Sequence, residues 1–270
     1  MLSDPEFKAL LQYADRPWAG YRKVRKGVKK RLRRHMRNLH CTAIEDYLAK
    51  VGQDAAVRAV FEQCLTVTIS RFFRDRLLWD YLQTCLLPEL AGCFQEGLGC
   101  WSAGCANGEE PYSLSMVWEA VRVTVPLAPP MRILATDADE NCLQRAKNGI
   151  YPHSSLKEVP ESTRRRWFTR VKGKQQWKMD ARLSKRICFG GHQLLDAPPP
   201  GPFHLIFLRN NLLTYYQGKL RQDAFQGIAE RLIPGGALII GSHEQLPSRR
   251  PPLRRDAACP WVYRMPAPPQ

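Results

Sequence analysis

Val24, Val28, Leu32 and Met36 recur every fourth residue, a spacing that lines one face of a helix. Arg22, Lys23, Arg25, Lys26, Lys29, Lys30, Arg31, Arg33, Arg34 and Arg37 fill the same stretch. The predicted helix therefore has an apolar seam with cations over the rest of its surface. A second helix is expected from Thr42, with Ile44, Tyr47, Leu48 and Val51 turned inward. With residues 6–13 these form a small helical domain expected to end near Cys64, assigned to residues 1–64. Beyond it, apolar runs alternate with helical patterns, which favours a largely parallel sheet covered by helices over residues 65–270. Strands are predicted over 99–103, 131–137, 203–208 and 237–240, and helices over 110–123, 140–148 and 219–232. Pro234-Gly235-Gly236 reads as the turn into the fourth of these strands. Residues 164–190 are basic, aromatic and less regular, and are expected to form a short antiparallel insertion. The proline- and arginine-rich stretch 247–260 reads as an irregular excursion before a last strand, Trp261-Val262-Tyr263-Arg264. No internal repeat is evident.

A chain of 270 residues has room for one large α/β domain and a small helical one. No apolar run approaches the roughly 20 residues that span a bilayer, so no membrane insertion is expected. Asp4 and Glu6 stand where a secretory signal would carry basic residues, and a cytoplasmic location is expected. Nine cysteines are an odd number, scattered, without a C-x-x-C pair. They are expected to be reduced packing residues, as Cys188 between Ile187 and Phe189, and no metal site is predicted. The net charge of +16 implies attraction to an acidic partner: nucleic acid, anionic membrane or an acidic protein surface.

Candidate chemistry begins at residues 101–110, where a strand turns through Gly104 and Gly108 into a helix. Glycines there let the backbone approach a ligand closely. The dinucleotide fingerprint G-x-G-x-x-G is absent, and Glu109 and Glu110 would repel a pyrophosphate. A cofactor with an ammonium, a sulfonium and free ribose hydroxyls would be tolerated. Asp137 ends the next strand, the position at which α/β nucleotide folds hold ribose hydroxyls with an acid. Asp139 is better placed to cap the helix that follows.

Residues 66–74 (TVTISRFFR), 101–113 (WSAGCANGEEPYS), 134–139 (LATDAD), 201–210 (GPFHLIFLRN) and 234–244 (PGGALIIGSHE) together resemble the CheR-type chemoreceptor methyltransferases. These are S-adenosylmethionine-dependent enzymes that esterify glutamate side chains. The likeness covers about residues 7–246, and the basic helix resembles that family's N-terminal helical domain. It implies a Rossmann-like S-adenosylmethionine methyltransferase domain with a helical N-terminal domain and a short antiparallel insertion. By the same resemblance, Thr68, Ser70 and Arg74 would approach the methionine end of the cofactor, with Gly104 and Glu110 nearby. Asp137 would hold the ribose, and Gln193, Leu194, Asn210 and Asn211 would surround the adenine and the reaction cleft. Tyr215 would stand beside the transferred methyl. The chain departs from the family pattern at Thr68 and Gln193, where asparagine is common. Residues 210–215 look one residue longer than usual, so Tyr215 and Tyr216 compete for one role. Gly241-Ser242-His243-Glu244 replaces the commoner G-H-S-E order, which points His243 elsewhere.

A glutamate carboxylate is already ionised at neutral pH, so the reaction needs alignment and water exclusion rather than a strong base. Arg74 is the expected cation, orienting a carboxylate or shaping the cofactor end; the alternative is a salt bridge with an acid such as Glu109. Lys29, Lys30, Arg33 and Arg34 would face the substrate, an acidic helical protein such as a chemoreceptor cytoplasmic domain; a merely solvated face is the alternative. The insertion shows no clear peptide-docking pattern. A monomer is expected, and nucleic acid is disfavoured because Asp196-Ala197-Pro198-Pro199-Pro200 matches an amino-methylation loop poorly. A non-catalytic, cofactor-binding regulatory protein is the remaining alternative.

Overall fold

The computed structural model describes residues 2–267. Helices Asp4–Tyr13, Trp18–Tyr21, Arg25–Asn38, Ile44–Gln53 and Ala55–Leu65 gather around one apolar cluster that includes Phe7, Tyr21, Leu32, Tyr47 and Phe61. Ser3 opens the first of them with a capping box: its hydroxyl accepts from the Glu6 N–H while the Glu6 carboxylate accepts from its own. The every-fourth-residue seam is buried at Val28, Leu32 and Met36 and half-buried at Val24. His35 joins it, with Nδ1 2.8 Å from the Tyr47 hydroxyl, and burial holds its imidazole below the usual histidine range. Asp54 caps the last helix by accepting from Ala56 and Val57. Arg31 then reaches from the basic helix to the carbonyls of Cys64 (3.0 Å) and Thr66 (2.6 Å), tying the helical domain to the segment entering the second domain.

The strands in chain order are β1 (Leu98–Ala103), β2 (Met131–Asp137), β3 (Ile150–Pro152), β4 (Phe168–Arg170), β5 (Gln176–Met179), β6 (Ile187–Gly191), β7 (Phe203–Leu208), β8 (Leu232–Ile240), β9 (Arg254–Arg255) and β10 (Val262–Arg264). Seven form one sheet in the order β6-β2-β1-β7-β8-β10-β9. Pairing is parallel from β6 to β8, and antiparallel for β10 and β9. Helices cover both faces, which is why β1 and β7 are apolar almost throughout. The expected α/β architecture with a helical N-terminal domain and a small antiparallel sheet is present.

Several details differ from the sequence reading. The antiparallel sheet, in the order β3-β5-β4, reaches back to Ile150. Ile187–Gly191, read as part of the irregular stretch, is instead a parallel edge strand on β2. An edge strand leaves alternate side chains in water, so Cys188, expected to pack, is exposed. β8 runs straight through Pro234-Gly235-Gly236, which forms an irregularity within the strand rather than a turn before it. Residues 76–93, for which the pattern predicted no element, are helical throughout: Arg76–Tyr81, a π-helical turn Leu82–Leu86, and Leu87–Cys93. No described helix is long and apolar enough to cross a membrane.

Gly108 ends the turn before helix Glu109–Thr124 with φ +87°, and a Cβ there would lie 2.7 Å from that of Ala146. Gly108→Ala combines left-handed strain with overpacking and should cost roughly 2–4 kcal/mol. Urea unfolding checks this; an unchanged midpoint would mean that helix Glu140–Asn148 yields without cost.

Candidate active site

β1 and β2 end side by side, with Ala103 opposite Thr136. The Thr136 carbonyl accepts the N–H groups of both Gly104 and Cys105 at 2.8 Å, which closes the turn tightly. Gly104 sits at φ +77°, and a Cβ would come within 2.4 Å of the Asn211 side-chain nitrogen. That nitrogen donates to the Ala103 carbonyl at 2.6 Å, so the glycine is required for the two loops to meet. Asp137, 8 % exposed, accepts from the Ala106 N–H at 2.8 Å and from the Asp139 N–H at 2.9 Å, one bond on each oxygen. Burial pushes its carboxyl pKa up, and these backbone donors oppose that. Each oxygen keeps a lone pair, enough for the two hydroxyls of a ribose. Asp139 caps the following helix through the Asn141 N–H, as expected.

Arg209, which sequence reasoning missed as a site residue although it lies within the 201–210 motif, ties this floor to the 66–75 loop. Its guanidinium bonds Glu110 at 3.1 Å, Asp75 at 2.6 Å and the Arg74 carbonyl at 3.1 Å. Glu110 also accepts from the Ser102 hydroxyl at 2.8 Å. Phe73, Asp75, Ala106 and Asn210, all non-glycine residues with positive φ, cluster in the segments framing the cleft. Such strain concentrates where a site is over-determined by its surroundings. The Arg74 guanidinium bonds only the Ile69 carbonyl, at 3.2 Å, and has no acidic partner among the described residues. The alternative pair with Glu109 is not formed. Glu109 is 2 % exposed, accepts from the Ser155 hydroxyl at 3.3 Å, and burial raises its pKa.

The opposite wall comes partly from the helical domain. The Tyr215 ring meets Tyr21 edge-on at 5.0 Å, and the Tyr216 ring lies 3.5 Å from the Arg16 guanidinium carbon. Burial pushes the Tyr215 hydroxyl pKa up, with Arg74 opposing. Glu244 holds the base of this wall, accepting from Thr214, Asn210 and Gly241; burial raises its pKa. His243 is exposed and off the cleft.

The walls enclose a cavity of about 490 Å³. Thr68, Ser70, Arg74, Gly104, Glu110, Asp137, Gln193, Leu194, Asn210, Asn211 and Tyr215, every cofactor or catalytic position expected from sequence, line it, and Tyr216 lines it too. Lys29, Lys30, Arg33 and Arg34 do not. Lys30, Arg33 and Arg34 are exposed on the basic helix, whereas Lys29 is ion-paired with Asp4 and only half-buried against Phe7. No metal-holding cluster exists among the described residues.

The family described as CheR methyltransferase, SAM binding domain, matches residues 68–259. The chain belongs to the CheR methyltransferase family. Among its relatives, the chemotaxis protein methyltransferase of Listeria monocytogenes is 35% identical over 201 residues, 74% of each chain. Chemotaxis protein methyltransferase 1 of Pseudomonas aeruginosa is 29% identical over 224 residues, 81% of each. This CheR-family protein is thus an S-adenosylmethionine-dependent methyltransferase. Its cleft suits that cofactor: a buried carboxylate with spare acceptors, a glycine turn without room for a Cβ, and acids in place of a phosphate cradle.

Asp137→Ala should weaken S-adenosylmethionine binding by on the order of 1.5–3 kcal/mol in a folded protein. Calorimetry that finds wild-type affinity would remove Asp137 from the cofactor site.

Proposed function

We propose that the enzyme methylates glutamate side-chain carboxylates on an acidic helical protein, and that this protein is a chemoreceptor cytoplasmic domain. The observation that carries the reading is Arg74: a guanidinium on the cavity wall, in a cleft shared with Tyr215, without a carboxylate partner among the described residues. An incoming carboxylate supplies the missing charge, and the planar fork fixes its orientation. The names of the relatives point to the same pathway.

In this reading the cofactor contributes an electrophilic methyl on a sulfonium. Asp137 accepts the ribose hydroxyls, Gly104 gives the backbone its close approach, and Glu110 places negative charge near the cationic end. Thr68, Ser70, Gln193, Leu194, Asn210 and Asn211 complete the binding surface. Arg74 orients the acceptor carboxylate, and Tyr215 lends its hydroxyl to the same end of the cleft while its ring helps exclude water. Catalysis is then positional, since an ionised carboxylate needs no base.

Residues 1–64 form the substrate-facing domain and 65–270 the catalytic one, with the 164–190 region as its insertion. Lys30, Arg33 and Arg34 offer exposed cations to an acidic helix, and Lys29 steadies the helix that carries them. The reaction belongs in the cytoplasm, with the enzyme acting as a monomer. A nucleic-acid substrate gains no support beyond net charge.

Arg74→Ala should lower kcat/KM by roughly a hundredfold, the scale of losing one charge-stabilising donor, while cofactor affinity changes much less. Equal losses in both would make Arg74 a cofactor ligand instead.

The product decides the acceptor. With labelled methyl, label should appear on a chemoreceptor cytoplasmic fragment and leave as volatile methanol after brief alkali, because a carboxyl ester is cleaved by hydroxide. Label that survives alkali would refute the ester, and label in a nuclease-sensitive fraction would restore the nucleic-acid alternative.

A further inference from the structure

Two stretches far apart in the chain meet at the rim of the cleft: residues 15–21 of the helical domain and 214–218 of the catalytic one. Gln217 donates to the Asp15 carboxylate at 2.9 Å. Gly20 packs so closely that a Cβ would lie 2.3 Å from the Thr214 carbonyl oxygen. Tyr21 and Tyr215 touch ring to ring. Between them stands Arg16, only 9 % exposed. One terminal nitrogen bonds Glu62 at 2.6 Å, and the other reaches the Tyr215 carbonyl at 3.3 Å. The guanidinium carbon lies 3.5 Å from the centre of the Tyr216 ring.

This seat is specific to an arginine. A flat, delocalised cation can stack on an aromatic face and still donate in two directions from its edge, which a lysine ammonium cannot do. It is also costly, because the Arg16 Nε is buried without a partner. Glu62 belongs to helix Ala55–Leu65, the end of which is held by Arg31 of the basic helix. Arg16, Glu62, Tyr215 and Tyr216 all border the cavity. A single side chain therefore joins the seating of the helical domain to the two tyrosines at the cleft.

We infer that Arg16 is a positioning residue for methyl transfer, holding Tyr215 and Tyr216 at the acceptor side of the cleft and coupling their placement to the helical domain. Arg16 acts through the tyrosines, so the inference rests on the role given above to Tyr215. It separates cofactor binding from turnover: Arg16 makes its bonds to Glu62, Tyr215 and Tyr216 and none to Gly104, Asp137 or Arg209, so the acceptor side depends on it.

The test uses the full chain, methyl-labelled S-adenosylmethionine and a purified chemoreceptor cytoplasmic fragment. Alkali-labile label with the wild type checks the ester reading on its own; without it, that reading and this inference fall together. With it, Arg16→Lys should lower kcat about tenfold, while the cofactor Kd from calorimetry moves less than about threefold. In a Tyr215→Phe background the same change should lower kcat less than about threefold, because the hydroxyl it aligns is gone. Should Arg16→Lys fold poorly, Gly20→Ala presses the same two stretches apart and should give the same split between kcat and Kd. The inference is overturned, with the ester reading intact, by wild-type turnover in Arg16→Lys, by equal losses in both backgrounds, or by cofactor affinity that falls in step with kcat.

Discussion

One buried guanidinium organises the catalytic half of this molecule. Arg209 leaves the end of β7 and bonds two carboxylates and a carbonyl from stretches far apart in the chain. Glu110 brings the helix that follows the glycine turn, and Asp75 brings the left-handed corner after the 66–74 motif. With its side chain only 3% exposed, the cation would be intolerable without these acids, since an unpaired buried charge costs several kcal/mol. The cleft therefore has a floor whose parts cannot drift independently, and Arg74, whose carbonyl Arg209 and the Trp79 indole both hold, hangs from that floor with its guanidinium bonded to the Ile69 carbonyl alone.

The distribution of charge follows from that arrangement. Around the glycine turn stand three acids, Glu110, Asp137 and Asp139, with Arg209 paired to the first. The surplus cations lie elsewhere, on the basic helix and across the antiparallel sheet and its flanks. The cationic cofactor thus meets local surroundings opposite in sign to the charge of the whole chain. The overall +16 acts at long range, and the local acids decide what settles on the floor.

The parts of this design that were legible in the sequence are those written in neighbouring residues. The glycine turn and Asp137 were readable because each sits at the end of an apolar strand, and the α/β architecture because β1, β2 and β7 are largely apolar runs. Arg209 and Arg16 were not, since their partners lie 134 and 46 residues away and only folding brings them together. β6 was hidden for a different reason: a half-buried edge strand shows weak apolar patterning, and cations before it mask the little there is. Helix 76–93 did carry a signal, in the buried positions Leu78, Leu82, Leu86 and Leu90. Such a row drifts slowly around a helix of about 3.6 residues per turn, as the seam of the basic helix also does, but here Leu77, Trp79, Tyr81 and Leu87 stand between its members where the basic helix has cations, and they blur it.

The π-helical turn Leu82–Leu86 resolves that drift. A wider turn takes up an extra residue and rotates the stripe back, so Leu78 and Leu90 both reach the core that covers β1. The helix behaves like a lattice with a single dislocation: order on either side, and the misfit confined to five residues. The defect thus lets one helix serve two masters, gripping the Arg74 carbonyl at its start while its far end stays anchored beneath the sheet.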